Sequence, residues 1–166
     1  MTTARSNRGF TLVEMVVVIV LAGILAVVAF SRAPSKGALT INGQAEQLAA
    51  DLRYAQTLVQ TQGQRICVDF TASGYRLTTA ASSCATNVET AAGLTGQITL
   101  DGITLTNNLP GNRLVFGDKG VPYTDTTGTA LSSTAQLTLS GEGGTIVVYV
   151  SPVTGRVCVP IGGATC

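Results

Sequence analysis

The chain has 166 residues, of which 45% are hydrophobic, only 11% charged and 5% aromatic, with no tryptophan and no histidine. Ten basic against nine acidic side chains leave a net charge of +1, which sets aside a general polyanion binder, and the missing histidine excludes Ser-His-Asp and Cys-His catalysis. The charged share falls well below the usual quarter, and Thr, Ser, Gly, Ala and Gln fill the gap, a bias that suits extracytoplasmic β-rich domains.

The chain starts with a short polar stretch, 1–9, that carries Arg5 and Arg8. After Gly9-Phe10-Thr11-Leu12-Val13-Glu14 an apolar run continues to Phe30, and no charged side chain occurs from Met15 to Ser31. As a helix, the run from Phe10 to Phe30 measures about 31 Å, enough to cross a hydrocarbon core. Glu14 lies one turn inside it. A lone acid there costs about 2.5–3.5 kcal/mol in lipid, so it needs a partner or a function. In an ordinary secretory signal the small-residue cleavage site follows the apolar region. Here the Gly9–Phe10 junction precedes it, which predicts a leader that is clipped while the helix stays.

Arg8-Gly9-Phe10-Thr11-Leu12-Val13-Glu14 resembles the class III signal of type IV prepilins and type II secretion pseudopilins. The resemblance implies cleavage between Gly9 and Phe10 by a membrane prepilin peptidase and N-methylation of Phe10. It also implies pairing of Glu14 with the N-terminal amine of a neighbouring subunit in a filament core, and a buried carboxylate is tolerated only when paired. The alternatives are an uncleaved signal anchor, which leaves Glu14 unexplained, and a Glu14 that snorkels to the membrane surface. Arg5 and Arg8 flank one end of the helix and Arg32 and Lys36 the other, so the positive-inside rule gives a tie. An inner-membrane, single-pass orientation with the globular part in the periplasm rests on the resemblance and on the cysteines. Loss of Arg5 and Arg8 with the leader leaves eight basic and nine acidic side chains, a net charge of −1.

Pro34, Ser35 and Gly37 then interrupt helical propensity and predict a kink or short break near Pro34. Ile41, Ala45, Leu48, Leu52, Ala55 and Val59 recur at helical spacing, one apolar stripe on a helix over 42–62 that stops at Gly63. The stripe reads as core packing against a sheet. Beyond Gly63 the period changes to two. Ile66, Val68 and Phe70 alternate with Cys67 and Asp69, and Tyr75-Arg76-Leu77-Thr78 follows a turn, which makes a β-hairpin. The stretch 80–96 reads as a surface loop. Ile98-Thr99-Leu100 and Ile103-Thr104-Leu105 flank Asp101-Gly102, and Leu114-Val115-Phe116 makes another short strand. The stretch 117–133 is again loop, 136–140 and 145–151 form a hairpin around Gly141-Glu142-Gly143-Gly144, and Val157-Cys158-Val159 returns as a last strand.

These elements predict an α+β fold: a long N-terminal helix, membrane-spanning in its first half and amphipathic in its second, packed on antiparallel β-sheet in a pilin-like way. The expected divisions are a cleaved leader over 1–9, a transmembrane or filament-core helix over 10–33, an amphipathic helix over 34–63 and a β-rich globular domain over 64–166, leaving about 130 residues for one compact domain. The order resembles the GspH/FimT branch of the pseudopilins, through Leu48 to Gln56, Leu114 to Pro122 and Val153-Thr154-Gly155-Arg156-Val157.

Four cysteines, Cys67, Cys84, Cys158 and Cys166, in an oxidising compartment point to two disulfides. Cys67–Cys84 with Cys158–Cys166 is preferred because both close local loops, while a crossed pairing such as Cys67 with Cys158 stays open. With no histidine and no Cys-x-x-Cys spacing, neither a metal nor a cofactor is expected, and the chain reads as a non-enzyme. Two function classes remain. One is a minor pilin or pseudopilin that assembles with other subunits through its N-terminal helix. The other is a DNA-binding minor pilin for uptake, and a major pilin is a further alternative. Members of that branch thought to bind DNA carry Gly-Arg-x-Arg. Here Gly155-Arg156-Val157-Cys158 has the first arginine only, so a contact through Arg156, Arg113 and Lys119 competes with the reading of Arg156 as a solvated turn residue.

Overall fold

The computed structural model describes residues 12–31, 36–80 and 83–160. The chain divides into two units, Met1–Pro34 and Ser35–Cys166. The first is α1 (Leu12–Ser31). Its valines are weak helix formers in water, but a helix is one of the few backbone forms that satisfies all its polar groups in an apolar surrounding. Among the described residues no helix is long and apolar enough to cross a membrane; the apolar run marked in the sequence, Phe10 to Phe30, starts before the first of them. The expected kink near Pro34 lies outside the described residues.

The second unit consists of α2 (Lys36–Gln62), β1 (Ile66–Thr71), β2 (Gly74–Thr79), β3 (Thr86–Asn87), β4 (Gln97–Thr99), β5 (Ile103–Asn107), β6 (Arg113–Phe116), β7 (Pro122–Tyr123), β8 (Ala135–Gly141), β9 (Gly144–Val150) and β10 (Val157–Cys158). The strands form two antiparallel sheets. One has the order β3-β2-β1-β6-β7 with β4 also on β2, and the other has the order β10-β9-β8-β5. All six stripe residues of α2 are buried, none more than 2% exposed, and they meet Val68, Leu77, Leu114 and Phe116 from one sheet and Leu137, Leu139, Val148 and Val150 from the other in a single core. Burying each such side chain stabilises by about 1.5–3 kcal/mol. Gly63 ends α2 with φ 67°, its N–H donating to the Val59 carbonyl at 2.9 Å, the left-handed C-terminal cap that glycine adopts without strain.

The structure departs from the sequence pattern in three places. Helix α2 begins at Lys36, within the division 34–63 but six residues ahead of the helix over 42–62 that the stripe alone marks. The reason is tertiary: a Cβ at Gly37 would stand 2.9 Å from the Gly143 nitrogen, so this glycine lets the first turn of α2 lie against the tip of the β8–β9 hairpin. Next, the strands flanking Asp101-Gly102 do not pair with each other, since β4 joins β2 in one sheet and β5 joins β8 in the other. Finally, the stretches read as loops hold β3, β7 and a 3-10 turn at Asp118–Gly120. Within the second of these, Asp125 Oδ1 accepts hydrogen bonds from the backbone of Thr127, Gly128 and Thr129. Hydrogen bonding from the Thr129 side chain first, then from its backbone and from the Thr127 hydroxyl, holds the Asp125 carboxyl well below the usual carboxylate range.

Candidate functional site

In the N-terminal unit the candidate side chain is Glu14, in the first turn of α1, where the positive end of the helix dipole favours a carboxylate. It is exposed. Around it, every large apolar side chain described on α1 is at least half exposed, from Val17 at 50% to Leu12 at 81%. A helix apolar on all sides and covered on none requires lipid or other helices as its surroundings. Gly9 and Phe10, the expected cleavage and methylation residues, lie outside the described residues.

In the globular unit Cys67 and Cys84 are disulfide-bonded, 17 residues apart in sequence. The bond lies on the face of β1 turned away from α2. There, with Val115, it pins the segment after β2 over the sheet in a small apolar cluster of its own. Cys158 is also disulfide-bonded; Cys166, its expected partner, lies outside the described residues. Replacing both Cys67 and Cys84 by alanine is expected to lower stability by about 3 kcal/mol, read as an earlier thermal unfolding transition than in the parent.

The structure does not gather the three basic residues. Arg113 pairs with Asp69 on the neighbouring strand β1, and Arg76 of β2 pairs with the same carboxylate at 3.3 Å, a row across three strands set by their register. Lys119 lies beyond the opposite end of β6. It does, however, have Arg156 as a neighbour through Gln56 on α2. The Gln56 carboxamide nitrogen donates to the carbonyl of Gly120 at 3.1 Å and to that of Thr154 at 2.9 Å, and Gln60 reaches the Lys119 carbonyl at 3.3 Å. The stretches around Gln56, Asp118 and Thr154, far apart in sequence, thus meet at one amide. Gly120 and Gly155 both have positive φ, 79° and 66°, and a Cβ at Gly155 would overlap the Gly120 carbonyl oxygen. Gly155→Ala should therefore destabilise by about 2 kcal/mol or more. Gly102→Ala, at a similar φ of 66° but with open space around it, should lose only the backbone part, and urea unfolding of the two variants separates the terms.

Sequence reasoning missed a buried polar centre. Asp51 on α2, 1% exposed, accepts from the Tyr75 hydroxyl at 2.6 Å and from the Ala91 N–H at 3.0 Å. Burial first, then the Asp51 hydrogen bond and charge, push the Tyr75 hydroxyl far above the ordinary tyrosine pKa. Its signal was present: Asp51 sits beside Leu48 and Leu52, next to the apolar stripe. The centre ties helix, sheet and the 83–96 segment together. Among the described residues no group of three His, Cys, Asp or Glu is placed to hold a metal ion.

Residues 4–30 match the prokaryotic N-terminal methylation motif, and residues 44–155 match the family described as type II transport protein GspH. Among solved structures, the minor pseudopilin EpsH from the type 2 secretion system of Vibrio cholerae is 15% identical with a TM-score of 0.56, covering 74% of this chain and 98% of that one. The type IV minor pilin FimU of Pseudomonas aeruginosa PAO1 is 19% identical with a TM-score of 0.51, covering 72% of this chain and 92% of that one. No curated protein matches the sequence. At these identities the structural likeness is one of fold.

Proposed function

Since the chain belongs to the GspH family, within the minor pilins and pseudopilins, we propose that it is a minor subunit inserted through its N-terminal helix into a type II secretion pseudopilus or a type IV pilus. In this reading a prepilin peptidase cleaves after Gly9 and Phe10 becomes the methylated N-terminus. The helix holds the subunit in the inner membrane as a single pass, with the globular unit in the periplasm, until other subunits take the place of lipid around it. Glu14 sets the register by pairing with a neighbour's amine. One observation carries the reading: a methylation motif over 4–30 joined to a helix whose apolar side chains are uncovered and whose single carboxylate lies in its first turn. The chemistry is assembly rather than catalysis.

The extracellular protein profile of a strain lacking the chain, set against its complemented parent, tests the system served. Selective loss of secreted proteins places the subunit in a secretion pseudopilus; an unchanged profile with shortened or missing pili places it in a type IV pilus, and a strain unchanged in both contradicts the proposal. The DNA-capture reading has less support, because Arg113 is engaged by Asp69 and only Lys119 and Arg156 stand on neighbouring turns. DNA uptake by an Arg156→Ala strain is accordingly expected to equal that of the parent, and a clear drop would restore that reading.

A further inference from the structure

The second sheet buries Leu105, Leu137, Leu139, Val148 and Val150 against α2, so the alternate residues Thr104, Gln136, Thr138 and Tyr149 lie on its other face. No residue of β5, β8 or β9 is charged. Where this face reaches β10, Thr134, Tyr149, Ser151, Thr154, Arg156 and Cys158 line a hollow of about 320 Å³. Tyr149 is half-buried and stands in register between Gln136 of β8 and Cys158 of β10. Arg156 is the one charged side chain among the described residues that line the hollow. Its guanidinium and the hydroxyls of Thr134, Tyr149 and Ser151 have no hydrogen-bond partner among the described residues, while the Thr154 hydroxyl accepts from the Arg156 N–H at 3.3 Å. The wall itself is fixed. The Gly155 N–H donates to the Ser151 carbonyl and the Ser151 N–H to that of Arg156, both at 3.0 Å, and Gln56 holds the Thr154 carbonyl at 2.9 Å. The backbone that carries these donors is thus in place before any ligand arrives, which removes much of the ordering cost of binding.

A lone guanidinium is a planar fork that matches one carboxylate. Serine, threonine and tyrosine hydroxyls both donate and accept, which is also the character of the hydroxyls on a sugar. The Tyr149 ring adds an apolar wall of the kind that the carbon face of a sugar ring can cover. We propose that the hollow binds an acidic sugar, its carboxylate on Arg156, its hydroxyls on Thr134, Ser151 and Thr154, and its ring against Tyr149. A longer glycan continues over the uncharged face past Gln136, Thr138 and Thr104. A nucleic acid fits this surface less well, because a phosphate at every step calls for further cations and the sheet face supplies none. A peptide also fits less well: it would pair with the edge strand β10, where the Val157 carbonyl already accepts from Arg53 at 3.4 Å. The hollow belongs to the globular unit alone, so the inference goes beyond the subunit reading without resting on it.

The test titrates glucuronate, glucose, acetate, inorganic phosphate and a single-stranded oligonucleotide, each separately, into the isotope-labelled full-length chain in micelles and follows its amide signals by NMR. Glucuronate is expected to bind with a Kd on the order of 1 mM, the strength that a ligand of this size reaches, and to shift the signals of Ser151, Arg156 and Cys158. Glucose and acetate should each bind about tenfold or more weakly than glucuronate, because each offers only half of the complement. Arg156→Gln, on an exposed turn, should erase the preference for glucuronate over glucose while the thermal unfolding transition stays that of the parent. Tyr149→Ala should weaken both sugars together. Acetate or phosphate binding as well as glucuronate would make the hollow an anion site only, and tighter binding of the oligonucleotide at these residues would give it to nucleic acid. Either result, no binding of glucuronate, or shifts confined to another face would overturn the proposal. Incorporation of the chain into filaments is read separately, so failure of the sugar site leaves the subunit reading standing.

Discussion

Replacing Glu14 by alanine is expected to leave the chain processed and methylated while its incorporation into filaments falls by a hundredfold or more. The helix around Glu14 is apolar on every side and its side chains are uncovered. In lipid, near the end of the helix, a carboxylate can still draw on interfacial water. In a filament core that water is displaced by other helices, and a carboxylate is tolerated there only when an opposite charge pairs with it. Removing one partner of a buried pair costs about 3–5 kcal/mol, chiefly because the other charge is left uncompensated, and that range corresponds to roughly 10²–10⁴ in an assembly equilibrium. Glu14→Gln, which keeps the shape and loses the charge, should fail in the same way as alanine. Processing is read by the mass of the N-terminus and incorporation by the share of the chain in sheared filaments. Normal incorporation of either variant would mean that packing of the small and β-branched side chains of α1 sets register without Glu14.

What could be read from the sequence follows how local the determining interactions are. The stripe from Ile41 to Val59 was legible because one helical period generates it, and every member is buried. The hairpins β1–β2 and β8–β9 were legible because alternation and a short turn specify them. The start of α2 was not, since Gly37 reads as a helix breaker until the Glu142-Gly143 turn is seen packed against it. Nor was the split of Ile98–Leu105 between two sheets, because Asp101-Gly102 is equally good chemistry for a hairpin and for a crossover. Among the site residues Glu14 stood out as the single charge in an apolar run. Gln56 did not: its bonds reach carbonyls at Gly120 and Thr154, and a glutamine on an amphipathic helix has the same sequence appearance whether it is solvated or holds two turns together. Arg113 shows the converse, a residue that looks available until the strand register places Asp69 across from it.

The polar centre at Asp51 leads to the second large expected effect, a loss of stability at high pH that runs through one tyrosine. The Tyr75 hydroxyl is completely buried and donates to Asp51, so the folded protein holds its proton well past the ordinary tyrosine range. A raised folded-state pKa gives stability that is fully present below the unfolded pKa of about 10. Above that pH the unfolded chain releases the proton and the folded chain does not, so the folded-to-unfolded ratio falls roughly tenfold per pH unit. Near neutral pH, Tyr75→Phe should destabilise by about 1.5–3 kcal/mol, the worth of a hydrogen bond to a carboxylate. In alkali, however, the variant should lose stability less steeply than the parent, and the two unfolding curves should converge. Tyr54, Tyr123 and Tyr149 are common to both proteins, so the difference in slope isolates position 75. Denaturant titrations of the full-length chain at pH 8 to 11.5 give the comparison, and parallel slopes would show that Tyr75 does not carry the alkaline transition. Asp51→Ala should be worse than Tyr75→Phe at neutral pH, because it strips the acceptor from both the hydroxyl and the Ala91 N–H and leaves two buried donors unpaired. The double variant should then lose less than the two single losses added, since Tyr75→Phe removes one of the donors that Asp51→Ala strands.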